Sequence, residues 1–143
     1  RVEDDYFAFA TKEIEIAGKK TLHMLLRDGD RVVLARKAKF TFRLPSRRSA
    51  TAVLELSDTT KMPNDVRRVI LFDRAAMIGA GPTAHIPCRH AGAPLILYER
   101  NGSFWVRRQD DGHVDTAAKE MPIGETVEVA GVSMVIRPWT IKA

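Results

Sequence analysis

The sequence predicts an all-β protein, an antiparallel β-sandwich with extra N-terminal strands. Three observations carry that prediction. Apolar and polar residues alternate along several short runs, turn dipeptides separate those runs, and no stretch keeps a helical period for the roughly ten residues a helix needs.

The elements follow in chain order. Phe7 and Phe9 lie two apart, so they share a strand face and are expected to pack inward. Ala17-Gly18 joins the run 14–16 to the run 22–24. Asp28-Gly29 lies between Leu25-Leu26 and 32–34, and Asp-Gly tolerates the positive φ of a two-residue hairpin turn. Residues 39–44 (KFTFRL) place Phe, Phe and Leu on one face and Lys, Thr and Arg on the other, which is the pattern of a half-buried strand. Pro45-Ser46 ends it. The polar corner that follows contains Ser46, Ser49 and Thr51, whose hydroxyls suit turn hydrogen bonds.

Strands are predicted at 52–56 and 68–72. The polar segment 57–65 between them is expected to be a mobile loop, with Pro63 limiting 61–67 to one helical turn. Asn101-Gly102 joins 95–98 to 104–106, and Ala130-Gly131 joins 127–129 to 132–136. Phe104 and Trp105 are consecutive, so one faces the core and the other faces outward. Trp139 is expected to close one end of the sandwich.

Composition narrows the function. The chain has 143 residues, 45% hydrophobic and 29% charged, enough for a core without staples. No window approaches the roughly 20 apolar residues of a membrane-spanning helix. Cys88 is the single cysteine, which excludes an intrachain disulfide and a cysteine-rich zinc site and fits a reducing, cytoplasmic setting. The chain opens on Arg1 and not Met, which reads as a piece of a longer protein. Net charge is +5, but Arg43, Arg47, Arg48, Arg67, Arg68, Arg107 and Arg108 are dispersed, as on a solvated surface. Weak nucleic-acid binding through these arginines stands as an alternative.

From Thr51 onward, the order of features resembles a forkhead-associated (FHA) domain. Residues 68–79 (RVILFDRAAMIG) resemble the strand that enters the family's "IGR" motif. Residues 95–106 (LILYERNGSFWV) are similar to its central hairpin, and 121–136 (MPIGETVEVAGVSMVI) to its closing hairpin. The resemblance spans about 51–139 and divides the chain into an N-terminal β extension at 1–50 and an FHA-like sandwich at 51–143. It implies a signalling module that binds phosphothreonine peptides through loops at one end. It also implies an arginine after the "IG" pair and a serine in the next loop for the phosphate, and a later asparagine for the peptide backbone. By position these are Ala80, a residue near His90, and Asp115. Ala80 supplies only a methyl group, and Asp115 brings a like charge that cannot donate. The expected function is therefore a non-catalytic protein-protein interaction module that has lost its usual phosphothreonine recognition.

Residues 78–93 (IGAGPTAHIPCRHAGA) hold the remaining candidates. Gly79 and Gly81 lack the spacing and the Gly-Lys-Ser/Thr of a phosphate loop. Thr83, His85, Arg89 and His90 could form an anion site, Arg89 offering a planar fork of donors. Phosphopeptide binding there, around Arg89 and His90, is the alternative reading. His85, Cys88 and His90, with His113 or Asp115 from afar, do not have zinc spacing, so no metal and no cofactor is expected. His85 could instead turn inward and cap a backbone group. Cys88 has no sequence-evident oxyanion hole or orienting acid, so no enzymatic activity is expected. The site residues read from sequence are thus Thr83, His85, Arg89, His90 and Asp115, for a protein or peptide partner that includes another part of the same chain.

Overall fold

The computed structural model describes residues 1, 3–47, 49–109 and 118–139. The chain is all-β and its sheets are antiparallel, apart from one parallel pair. Among the described residues, no helix is long and apolar enough to cross a membrane. Two compact units are present, Arg1–Asp73 and Arg74–Ala143.

The first unit is a six-stranded sheet. Its strands are β1 (Tyr6–Ile16), β2 (Lys19–Leu26), β3 (Arg31–Ala35), β4 (Ala38–Arg43), β5 (Ala52–Leu56) and β6 (Arg68–Leu71), in the order β2-β1-β3-β4-β5-β6. β5 and β6, which the sequence reading grouped with the later strands, belong to this sheet because β5 hydrogen-bonds along β4, with Phe42 opposite Leu54.

Outside the exposed polar run 11–13, β1 keeps its even-numbered side chains inward. Tyr6 and Ile16 are buried and Ala8, Ala10 and Ile14 are half-buried. Phe7 and Phe9 therefore face out, 38% and 77% exposed, against the expectation that they pack inward. They are odd-numbered, and Tyr6, Ile14 and Ile16 already claim the other face. The β1–β2 ladder breaks once: residues 10–13 of β1 lie opposite Leu22 alone. That break is a large bulge that bends the ribbon. Beyond it, Tyr6 and Leu26 pack against Phe42, Ala52, Leu44, Leu54 and Leu71, with the Tyr6 and Phe42 rings 5.5 Å apart.

The Asp28-Gly29 turn forms, with Gly29 at φ +88°, but it makes no hairpin. β2 and β3 lie on opposite sides of β1, and the turn bonds to β4 instead. Gly29 N donates to Phe42 O (2.8 Å), Phe42 N to Asp30 O (2.8 Å) and Leu44 N to Asp28 Oδ1 (2.9 Å).

Of the segment 57–65, expected to be mobile, the first part, 57–60, is pinned. The Arg67 guanidinium donates to the carbonyls of Leu56 (3.1 Å), Ser57 (2.7 Å) and Thr60 (3.1 Å). The segment ends in one 3-10 turn, Pro63–Asp65.

The second unit holds β7 (Ala75–Gly79), β8 (Ile86–Pro87), β9 (Leu95–Arg100), β10 (Ser103–Arg108) and β11 (Lys119–Met121) in the order β11-β10-β9-β7-β8. A separate hairpin, β12 (Val127–Val129) and β13 (Val132–Met134), shares a core with that sheet: Ile78, Leu95, Val106, Met121 and Val129, with Cys88, Phe104 and Met134 against it. This unit is thus a small two-layer β-sandwich. Phe104 faces this core. Trp105 is on the opposite face, beside Tyr98, whose ring lies 5.8 Å from the Arg107 guanidinium carbon. Trp139 is 45% exposed, so it does not bury itself as an end cap.

Candidate binding surface

The rim of the second unit is built outward from β7. After Gly79 the chain leaves the sheet at Ala80, turns with Ala84 N donating to Gly81 O (3.2 Å), and returns at His85. His85 brackets one residue of β7. Its N–H donates to Met77 O (2.9 Å) and its Nδ1 accepts the Met77 N–H (2.9 Å). Because Nδ1 accepts, the neutral ring carries its proton on Nε2. That double contact sets β8 parallel to β7, with Ile78 opposite Ile86. Cys88 N then donates to Gly79 O (2.8 Å), and Gly92 N to Ala130 O (3.0 Å). The Arg89-His90 turn is thus anchored on β7 at one end and on the β12–β13 turn at the other.

Ala80, Thr83, Arg89 and His90 are all exposed. Arg89 and His90 share one turn, and Thr83 sits on the turn that precedes β8. His85, expected on the rim, is completely buried and turned inward as a backbone cap. Its Nδ1 lone pair is engaged by Met77 and so is not open to a metal. Among the described residues, no three His, Cys, Asp or Glu side chains converge on a metal position. Cys88 is half-buried against the core and behaves as a small hydrophobe. Asp115 and His113 lie outside the described residues.

Sequence reading missed a second surface. Phe9 stacks on His23 (centroids 6.3 Å, planes 20° apart) with Phe7 6.3 Å from Phe9, all on the outer side of the bent β1–β2 ribbon. Leu22, opposite the bulge, is 51% exposed. The shared even parity of Tyr6, Ile14 and Ile16 is the signal that points Phe7 and Phe9 outward.

Comparison of the chain with protein-family models, curated proteins and solved structures finds no match.

Proposed function

We propose that the chain is a non-catalytic protein-protein interaction module, FHA-like in its later part, with the usual phosphothreonine clamp lost. One observation carries this reading: the rim backbone is braced while its polar side chains are exposed. The hydrogen bonds from His85, Cys88 and Gly92 fix the loops, and Thr83, Arg89 and His90 project from them. A braced loop loses little entropy on binding. Ala80, the exposed residue at the first turn after β7, offers no guanidinium to a phosphate dianion. The partner is a protein or peptide, another part of the same chain included, in a reducing, cytoplasmic setting that suits the single thiol.

A peptide array carrying matched threonine and phosphothreonine sequences tests this. Binding that ignores phosphorylation and drops in Arg89→Glu supports it. Binding that requires phosphate and vanishes in Arg89→Ala would replace it with the rearranged phosphopeptide site. An array with no bound peptide overturns both.

A further inference from the structure

The first unit carries an open trough of about 670 Å³ on the polar side of its sheet. Its floor is the β1–β3–β4 ladder. Glu15 stands opposite Val33 and Val33 opposite Lys39, while Arg31 stands opposite Thr41. Three connections form the walls: Ala17-Gly18, Gly29-Asp30 and Ser57-Asp58. Each wall is hydrogen-bonded to a floor strand. Ala17 N donates to Arg31 O (2.9 Å), Gly29 N to Phe42 O (2.8 Å) and Ser57 N to Lys39 O (3.0 Å). The last wall is tied twice more, since Lys39 N donates to Thr60 Oγ1 (3.0 Å) and that hydroxyl donates to Lys39 O (2.9 Å). The trough is therefore pre-formed, and its volume is that of a small-molecule site.

Its charges select the ligand. Arg31 and Lys39 are diagonal neighbours on one face of an antiparallel pair, roughly 7 Å apart at the backbone. Neither they nor Glu15 forms an ion pair among the described residues. Asp30 Oδ2 already accepts the Arg27 N–H (2.8 Å), and Asp58 lies 3.7 Å from the Arg67 guanidinium. The uncommitted lining charges are thus two cations and one carboxylate, with two further carboxylates on the walls. A phosphate dianion would meet three like charges. A monoanionic carboxylate that brings its own ammonium leaves the balance unchanged.

We propose that the trough binds a short zwitterionic peptide, its carboxylate between Arg31 and Lys39 and its ammonium at Glu15. Thr41 lines the same space, and its hydroxyl suits the peptide's amides, whereas the Ser57 hydroxyl is already bonded to Thr59 Oγ1 (3.0 Å) and Thr60 Oγ1 (2.9 Å). This site lies in the first unit and is independent of the rim reading above.

The test is amide-resolved NMR titration of the unmodified chain with triglycine, N-acetyl-triglycine, triglycine amide and inorganic phosphate. Triglycine is expected to shift Lys39, Thr41 and Ser57 saturably at millimolar concentration. Each capped peptide is expected to bind roughly fivefold more weakly, the range of one exposed charge pair. Glu15→Gln should weaken triglycine by the same factor and leave N-acetyl-triglycine unaffected. No saturable shift, equal binding of capped and free peptides, or phosphate binding tighter than triglycine would each overturn the proposal. The capped-peptide comparison needs no variant, so it stands even if Glu15→Gln fails to fold.

Discussion

The Thr51 hydroxyl holds both backbone groups of Asp73: Oγ1 donates to the Asp73 carbonyl (3.0 Å) and accepts the Asp73 N–H (2.9 Å). Thr51 is completely buried, so these bonds form away from competing water. They fasten the start of β5 to the residue that follows β6 by two. Thr51→Val keeps the shape and removes both bonds. It is expected to cost about 2–3 kcal/mol, because the partners are left unsatisfied. The urea midpoint should fall with an unchanged slope, and Thr51→Ser should recover most of the loss.

Tyr6 makes stability depend on alkaline pH. Its hydroxyl donates to Ala50 O (2.6 Å), and burial is the main cause that pushes its pKa above the ordinary tyrosine value, with Asp73 adding to the rise and Arg1 opposing it. The folded state therefore holds the proton more tightly than the unfolded chain. That stabilisation is complete below the unfolded tyrosine pKa of about 10 and is lost as pH rises through the folded value. Unfolding free energy measured from pH 9 to 11 should fall, and Tyr6→Phe should flatten the fall while lowering stability by about 1 kcal/mol at neutral pH.

Two hairpin turns are suboptimal. Ala17 and Ala130 each sit at φ 51° as the first central residue of a turn completed by glycine, where the third such turn has Asn101 at φ 52°. Left-handed backbone disfavours alanine and tolerates asparagine. Ala17→Asn and Ala130→Asn are each expected to add about 0.5–1 kcal/mol, seen as a higher calorimetric midpoint.

The exposed aromatics should be dispensable for folding. Phe9→Ser is expected to change stability by less than about 0.5 kcal/mol. Tyr6→Ala, three positions earlier on the opposite face, should cost about 3 kcal/mol or more. Equal losses in denaturant titration would reject the assigned faces.

The Arg67 guanidinium holds the 57–60 wall through three backbone carbonyls, beside the Thr60 hydroxyl that ties the wall to Lys39. Arg67→Lys cannot reach three carbonyls with a single ammonium. Hydrogen exchange at the Ser57 and Lys39 amides should accelerate, with a loss of about 2 kcal/mol.

Much of the fold was legible in the sequence, and the omissions share a cause. Asn101-Gly102, Ala17-Gly18 and Ala130-Gly131 each join paired strands, because a positive-φ dipeptide between β-rich runs is a local signal. Asp28-Gly29 is read correctly as a turn and wrongly as a hairpin, since the choice between neighbouring strands rests on the distant Phe42 backbone. Phe7 and Phe9 are misplaced because the exposed polar run 11–13 interrupts the alternation and hides that Tyr6 and Ile16 share one parity. The pinning of 57–60 depends on Arg67, whose charge alone suggested only surface. At the rim, Thr83, Arg89 and His90 are exposed and His85 is not, because a histidine beside a strand can equally cap a backbone N–H.

The break in the β1–β2 ladder works as a reading frame of two. Three more residues of β1 than of β2 occupy it, an odd excess, and it is this oddness that turns Met24 and Leu26 toward Tyr6 and sends His23 and Leu25 out with Phe9. Adding or removing one residue among 10–13 would swap those sets and offer an imidazole to the Phe42 cluster, whereas a change of two would leave the frame intact. Length variation at this point is therefore quantised in pairs, whatever the identity of the residues concerned.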